Sequence, residues 1–114
     1  MLVDCIFCKI ARKEIPSNIL YEDEHVVAFH DLNPQAPKHI LIIPKKHIST
    51  LLEIKPEDAG IFGHIFQILP EVAKMVGGDK GFRLVTNCLE SAGQSVLHVH
   101  FHLMAGRNFG WPPG

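Results

Sequence analysis

The stretch VLHVHFHLM, residues 96–104, alternates three histidines, His98, His100 and His102, with apolar residues. Successive side chains of a β-strand point to opposite faces of the sheet, so this spacing predicts a strand with the three imidazoles in a row on one face. The apolar residues between them then face a core. Imidazoles change charge near neutral pH, which makes this strand the predicted centre of the protein's chemistry.

A single metal ion does not explain all three histidines. The rise along a strand is about 3.3 Å per residue, so the outer two imidazoles stand roughly 13 Å apart. Zinc binds an imidazole nitrogen at about 2.0 Å, so at most two of the three share an ion. A purely structural row is the alternative, but burying three polar rings without a use for them costs free energy. We therefore predict that the row is reactive.

A short polar loop precedes the histidines. Gly93, Gln94 and Ser95 offer a glycine that lets the backbone approach a ligand, then an amide and a hydroxyl that donate to phosphate oxygens. An ordinary turn is the alternative, because glycine and serine are common turn residues. Beside the histidines the loop is predicted to hold a phosphate, and the neutral imidazole of His100 is a competent nucleophile toward its phosphorus.

The run GQSVLHVHFH, residues 93–102, resembles the signature of the histidine triad (HIT) family, and the resemblance extends across nearly the whole chain. The other matching segments are residues 13–16 (KEIP), 29–31 (FHD), 34–37 (PQAP), 44–48 (PKKHI), 106–107 (GR) and 111–114 (WPPG). The chain is similar above all to the small histidine triad nucleotide-binding proteins, which hydrolyse purine nucleoside phosphoramidates. The resemblance implies one HIT domain over residues 1–114, with an α+β fold. It also implies a mostly antiparallel five-stranded sheet, one long and one short helix, and a homodimer across which the sheet extends.

The resemblance also implies catalytic roles. His100 is expected to attack the α-phosphorus and to form a nucleotidyl-histidine intermediate that water hydrolyses. The main-chain carbonyl of His98 is expected to accept a hydrogen bond from Nδ1 of His100. His102 and Ser95 would contact the phosphate oxygens and the departing amine, and His39 would support the triad from the neighbouring strand.

A second set of residues matches the family's nucleotide-binding positions. It comprises Phe29, His30, Asp31, Leu32, Asn87, Gly93, Gln94, Ser95, His100 and His102. Within this set Asp31 matches the acid that binds ribose hydroxyls, and Asn87 matches an asparagine near the leaving group. Asp31 is followed by Asn33 and a proline, a pattern that is also typical of a turn in which the aspartate side chain binds its own backbone. The residues alone leave both interpretations open.

The N-terminal segment carries a second chemical signal, the Cys-x-x-Cys pair formed by Cys5 and Cys8. Such a pair with two histidines completes a structural zinc site of the Cys₂His₂ type. By the resemblance those histidines are His47 and His98, so His98 would serve zinc while the chemistry itself needs no cofactor. No βαβ pattern follows the pair, which disfavours a redox motif, and two unligated cysteines are the remaining alternative.

Composition excludes several classes of protein. The chain has 114 residues, of which 46% are hydrophobic, so it holds enough apolar residues for one globular core. A net charge of −1 offers no footprint for a nucleic-acid backbone. The family resemblance implies purine nucleotides as the partners. The sequence shows no signal-like run, no membrane span and no disulfide framework, so we expect a cytoplasmic protein that does not bind membranes.

Periodicity and turn residues predict the remaining elements. A short helix is predicted over residues 6–13, strands over 18–22, 25–31, 39–43 and 82–87, and a long helix from Pro56 to Gly77 that Pro70 kinks. The family resemblance implies that Trp111 in the C-terminal tail packs near the active site of a partner chain, and a loose terminus is the alternative. Three other functions stay open at this point. They are dinucleoside polyphosphate hydrolysis, nucleotide-dependent regulation with incidental catalysis, and zinc handling with the triad as ligands.

Overall fold

A computed structural model describes residues 5–114. Its helices and strands are, in chain order, α1 (Ile6–Ala11), β1 (Ile19–Glu22), β2 (Val26–His30), β3 (Lys38–Pro44), α2 (Ala59–Met75), β4 (Arg83–Thr86) and β5 (Phe101–Ala105). The five strands form one sheet in the order β1-β2-β3-β5-β4, and every neighbouring pair is antiparallel. The predicted α+β architecture with one long and one short helix is confirmed.

Each face of the sheet is covered by one helix. The apolar residues of α2 pack against one face, on a core that includes Ile40, Ile42 and Leu103. On the opposite face α1 packs against Val27, Leu41 and other inward-facing residues of β2 and β3. Strand alternation therefore sorts the side chains into an apolar core under α2 and a side under α1 that also holds cysteines and histidines.

Strand β5 begins at Phe101, so the prediction of a strand from residue 96 is wrong for its first half. The reason is a change of partner, because the N–H of Val99 donates to the carbonyl of Ile48, beyond the end of β3, at 2.7 Å. The N–H of His98 turns back to the carbonyl of Val96. The alternation of faces nevertheless persists, since Val99 and Phe101 lie in the core under α2 while the histidines lie on the other side.

The helix ends also differ slightly from the predicted ones. Helix α1 ends at Ala11 rather than at Lys13, which takes a left-handed conformation with φ of 61°. Helix α2 is entered through a short 3₁₀ turn and runs through Pro70 to Met75. The chain leaves α2 through Gly77, whose φ of 74° suits a residue without a side chain. Within residues 5–114 no helix combines the length and the apolar character that crossing a membrane requires.

Candidate active site and metal centre

The four residues predicted to bind zinc come together on the face of the sheet under α1. Cys5 and Cys8 lie at the start of that helix, His47 follows β3, and His98 precedes β5. The Nδ1 atom of His98 lies 3.4 Å from Sγ of Cys5, 3.5 Å from Sγ of Cys8 and 3.2 Å from Nδ1 of His47. The distance from Cys8 Sγ to His47 Nδ1 is 3.3 Å. We call these four residues the metal cluster.

The spacing of the metal cluster fits a structural zinc ion. With bonds of about 2.0–2.3 Å, the ligand atoms of a tetrahedral zinc ion lie roughly 3.3–3.8 Å from one another. His98 is fully buried and its Nε2–H donates to the carbonyl of Pro44 at 2.8 Å, which leaves the lone pair on Nδ1. Burial also lowers the pKa of His98 to about 4, so its neutral form prevails. All four positions of the tetrahedron are filled by protein, as in structural zinc sites.

The thiol of Cys8 shows what a cation supplies to the metal cluster. Burial, together with the neighbouring Cys5, raises the pKa of Cys8 to about 11. A zinc ion provides the positive charge that stabilises the thiolate form in this apolar setting. The predicted structural zinc therefore agrees with both the geometry and the chemistry of these four residues.

His100 lies directly beside the metal cluster but uses its nitrogens differently. Its Nδ1–H donates to the main-chain carbonyl of His98 at 2.7 Å, so the lone pair is on Nε2. The ring is buried and packs edge to face on Phe7, with 5.0 Å between the ring centroids. The same phenyl ring packs on His98 at 5.9 Å. Phe7 therefore packs against one ring of the metal cluster and against the nucleophile candidate.

A cavity of about 270 Å³ opens over His100. Its polar lining comes from Ser95, Asp31, His102 and neighbouring groups, and the rest of its wall is apolar. The apolar lining residues are Ile6, Phe7, Ile10, Ile15, Pro16, Phe29, Leu32, Leu41 and Val96. Two larger surface hollows, of about 450 and 780 Å³, border His47 and contain neither reactive histidine. An apolar slot that ends in a few convergent polar groups is the usual form of a small-molecule site.

A second group of titratable side chains lies at the back of this cavity. Nε2 of His39 is 2.9 Å from Nδ1 of His102 and 3.4 Å from Oδ2 of Asp31. The register of β3 and β5 brings them together, because Leu41 pairs with His102 and His39 lies two residues away on the same face. We call these three residues the proton cluster. Its geometry alone would also admit a metal ion.

The proton on His39 decides against a metal in the proton cluster. The main-chain N–H of Gln35 donates to Nδ1 of His39 at 3.0 Å, so Nδ1 carries the lone pair. Burial lowers the pKa of His39, so the ring is neutral and its single proton is on Nε2, the atom that faces His102 and Asp31. A nitrogen that carries a proton does not bind a metal at the same time. This arrangement disfavours zinc handling by the triad.

The predicted nucleotide-binding residues fall into two groups. Phe29, His30, Asp31, Leu32, Ser95, His100 and His102 all line the cavity. The described residues that line the cavity do not include Asn87, Gly93 or Gln94. Gly93 adopts φ of 97° next to Asn87 instead. Leu32, at 99% exposure, forms an open rim of the cavity rather than a buried wall.

Gln94 departs most clearly from the predicted role. Its side-chain amide donates to the carbonyls of Ser49 and Val96, at 2.8 and 3.0 Å, and its oxygen accepts from the N–H of Leu89. Both amide protons are therefore used within the protein, and the prediction that they donate to phosphate is corrected. Gln94 instead braces the loop that carries Ser95.

Asp31 forms the turn that the sequence favoured, while its binding of ribose hydroxyls stays a prediction. Its Oδ1 accepts from the N–H of Asn33 at 2.8 Å, which is the predicted turn. Its Oδ2 faces His39 and the cavity. The turn thus fixes the orientation of the carboxylate and leaves one oxygen for a ligand.

Sequence reasoning missed two contributors to the site. Phe7, which lies between the two cysteines in the sequence, is not among the predicted site residues, although its ring contacts both His98 and His100. The N–H of Gln35 leaves no signal in the sequence, because a main-chain group acts through the conformation of its loop.

Comparisons with known proteins agree with the fold and with a zinc site. A family model described as HIT domain matches residues 12–109. A 14 kDa zinc-binding protein of Zea mays is 49% identical over 111 residues, covering 96% of this chain and 87% of that protein. An uncharacterized HIT-like protein of Synechocystis sp. is 49% identical over 114 residues and 100% of both chains. The crystal structure of a HIT family hydrolase from Legionella pneumophila has a TM-score of 0.93 at 45% identity, covering 97% of this chain and 100% of that one. The chain belongs to the HIT domain family.

Proposed function

We propose that this protein is a hydrolase that cleaves the P–N bond of purine nucleoside 5′-phosphoramidates, with His100 as the nucleophile. The observation that carries the proposal is the hydrogen bond from Nδ1 of His100 to the His98 carbonyl, which leaves an Nε2 lone pair in a ring that lines the cavity. A neutral imidazole with a fixed tautomer is an effective nucleophile toward phosphorus. The Legionella relative, named a hydrolase, supports the reaction type.

The proposed reaction has two steps. Nε2 of His100 bonds to the α-phosphorus, and the P–N bond to the amine breaks with its electron pair on the departing nitrogen. Water then adds to phosphorus, the bond to His100 breaks, and the imidazole regains its lone pair. The proton gained by the amine and the hydroxyl group gained by phosphorus come, in sum, from one water molecule. The products are a nucleoside monophosphate and a free amine.

The other cavity groups supply positioning and charge stabilisation. The hydroxyl of Ser95 and the imidazole of His102 line the cavity beside His100 and would donate to the phosphoryl oxygens. Oδ2 of Asp31, oriented by its turn, would accept from the ribose hydroxyls. The apolar wall, which includes Phe29, would hold the purine.

Turnover of an adenosine phosphoramidate that carries a fluorescent amine tests this proposal. Wild type is expected to release the amine, and His100→Ala to release it at least about 10³-fold more slowly, since the nucleophile is lost. His25→Ala, which removes an exposed histidine far from the cavity, is the matched control. Release by wild type no faster than by His100→Ala would reject the proposal for this substrate class. Faster turnover of diadenosine polyphosphates would favour the dinucleotide alternative.

We further propose that the metal cluster holds one zinc ion in a structural role. The zinc-binding name of the maize relative supports this assignment, as does the fit of the four ligand atoms. Zinc would fix the start of α1 to the segment before β5 and so hold Phe7 against His100. The ion takes no part in the bond-breaking steps described above.

We also propose that two chains join through the exposed edge of β4 to form a homodimer. Strand β4 is an end strand of the sheet, and beside it lies a groove of about 480 Å³ lined by Phe66, Pro70, Phe82 and others. Pairing this edge with a second copy would extend the sheet and cover the exposed apolar rings. Trp111 is 86% exposed on its own chain and is available for a partner's site.

Sedimentation velocity tests the dimer. Phe66→Lys is expected to give a monomer, because it places a charge in the proposed interface, while Leu52→Lys at an exposed site elsewhere should leave the dimer intact. A wild-type chain that sediments as a monomer at micromolar concentration would contradict this part of the proposal.

A further inference from the structure

The main-chain N–H of Gln35 lies at the start of a hydrogen-bonded series that ends in the cavity. This N–H donates to Nδ1 of His39, and Nε2 of His39 contacts Nδ1 of His102. A peptide N–H is always a donor, so it sets the direction of every hydrogen bond that follows. His39 must therefore carry its proton on Nε2. This Nε2–H donates to Nδ1 of His102, which lies 2.9 Å from Nε2 of His39.

The series therefore determines the tautomer of His102. Burial, together with the neighbouring His100 and His39, lowers the pKa of His102 to about 4, so the ring is neutral and carries one proton. With Nδ1 accepting from His39, that proton is on Nε2. The opposite tautomer would present a lone pair to the oxygens of a bound phosphate, which repels them.

Gln35 is itself held by the C-terminal segment. Nε of Arg107 donates to the carbonyl of Gln35 at 3.2 Å, and Nη1 of Arg107 donates to the carbonyl of Asn108 at 3.0 Å. The guanidinium lies over the ring of Phe109, 4.2 Å from its centroid. Each contact is modest by itself, but together they hold the carbonyl of Gln35, which belongs to the peptide unit that follows the N–H donating to His39.

Gly106 brings this segment against the loop that carries Gln35. Its φ is 95°, and a Cβ atom at this position would lie 2.9 Å from Cβ of Pro37. Any larger residue would be strained and would displace one segment from the other. The close approach allows Arg107 to reach the Gln35 carbonyl.

We propose that Gln35, whose N–H binds His39 and whose carbonyl is bound by Arg107, is a positioning element that keeps the proton of His102 on Nε2, where it would face a bound phosphate. Gln35 and Arg107 touch no reacting atom and act only through His39 and His102. The kinetic consequence rests on the proposed hydrolase function, whereas the assignment of protons does not. The C-terminal segment is thereby coupled to the electrostatics of the cavity.

The ¹⁵N spectrum of the histidine rings in zinc-bound, ¹⁵N-histidine-labelled protein tests the proton assignment without any substrate. At pH 7 His39 and His102 are each expected to show a protonated Nε2 and an unprotonated Nδ1. A protonated Nδ1 on either ring of the wild-type protein would overturn the proposal. The spectrum tests the proton assignment even if the protein turns over no phosphoramidate. Failure of the proton assignment is therefore distinguishable from failure of the proposed function.

A pair of variants at one position tests the positioning role. Gln35→Pro deletes the N–H, whereas Gln35→Ala removes the side chain and keeps it. We expect kcat of the proline variant to be at least tenfold below that of the alanine variant, with KM values within threefold, and its His102 signals to report a mixture of tautomers. Equal kcat values in two folded, zinc-bound variants would overturn the proposal. If Gln35→Pro does not fold, the wild-type spectrum decides.

Loss of the anchor is expected to have a smaller effect. Arg107→Met keeps much of the side chain's bulk but removes the donor to the Gln35 carbonyl, so kcat should fall about threefold to tenfold while KM changes little. The same variant should broaden or shift the His39 ring signals. Unchanged spectra and unchanged kcat would remove Arg107 from the proposal.

Discussion

The metal cluster and the proton cluster look alike as sets of atoms but differ in where their protons are. Both bring histidine nitrogens to within about 3 Å of other ligand-type atoms on the same side of the sheet. In the metal cluster, His98 donates from Nε2 to the Pro44 carbonyl and keeps a lone pair inside the cluster. In the proton cluster, His39 accepts from Gln35 and keeps its proton inside the cluster.

This difference shows that the second nitrogen of an imidazole determines what the first one does. When one ring nitrogen donates to a carbonyl, the other keeps a lone pair and is able to bind a metal. When one ring nitrogen accepts from a main-chain N–H, the other carries the proton and is a donor. Distances between nitrogen atoms do not contain this information. The hydrogen-bond partner on the far side of each ring shows which nitrogen carries the proton.

The largest effect should follow from breaking the metal cluster. Cys8→Ser is expected to lose zinc and to lower the free energy of unfolding by about 4 kcal/mol or more, because the ion links α1 to the sheet. Urea unfolding and metal analysis measure both changes. Cys88→Ser, at a half-buried thiol outside the cluster, is the control and should cost less than about 1 kcal/mol. Equal effects of the two substitutions would contradict the assignment.

Breaking the proton cluster should change catalysis and leave the metal in place. His39→Ala removes the donor that holds His102 in one tautomer, and kcat is expected to fall about 10²-fold. The zinc content should stay at one ion per chain. Steady-state kinetics and metal analysis of the same sample test this. Loss of zinc in His39→Ala would mean that the two clusters are not separate.

Phe7, which touches both His98 and His100, should couple the two regions. Phe7→Leu removes both ring contacts and is expected to cost about 1–3 kcal/mol in stability and about threefold to tenfold in kcat. Phe62→Leu is the matched control, since that ring packs on the opposite face of the sheet. It should lower stability without changing kcat. If Phe7→Leu also left kcat unchanged, the coupling would be absent.

A surface pair should show the smallest effect and extend the comparison to a histidine that does take up charge. Nε2 of His64 lies 2.5 Å from Oδ2 of Asp23, and this contact raises the pKa of His64. Hydrogen bonds from His64 and Tyr21 outweigh burial and hold the pKa of Asp23 well below its usual range.

The sign of the pH dependence follows from these directions. The contribution of His64 is fully present below its ordinary pKa of about 6.5 and is lost as pH rises through its higher folded value. The contribution of Asp23 is present above about 3.9 and is lost as pH falls through its lower folded value. The difference in Tm between wild type and His64→Gln should therefore be greatest near pH 5–6 and shrink by pH 9. A difference that grows with pH would contradict the pair.

Local pattern in the sequence was sufficient for part of this site. The alternation of residues 96–104 correctly placed the histidines on the face opposite Val99 and Phe101, and the Cys-x-x-Cys spacing indicated two of the four residues of the metal cluster, whose histidines were implied by the family resemblance. Both signals depend on side chains that are close in sequence or on one strand. The hydrogen bond from His100 to the His98 carbonyl, which the family resemblance implied, is also present.

The rest depended on contacts between distant segments. Strand β5 starts later than predicted because the N–H of Val99 donates to the carbonyl of Ile48. The side-chain amide of Gln94 donates to the carbonyls of Ser49 and Val96. No periodicity in residues 93–100 reports the position of the segment after β3. The role of the Gln35 N–H was hidden for the same reason, because loop conformation places it against His39.

Zinc stoichiometry is the measurement that tests the separation of the two clusters most directly. Protein saturated with zinc and then dialysed should contain one ion per chain in wild type, one in His102→Ala and His39→Ala, and none in a variant that lacks both Cys5 and Cys8. Two ions per chain in wild type, with one lost in His102→Ala, would show that the proton cluster binds metal. That result would contradict the central claim that one cluster holds an ion and the other holds protons.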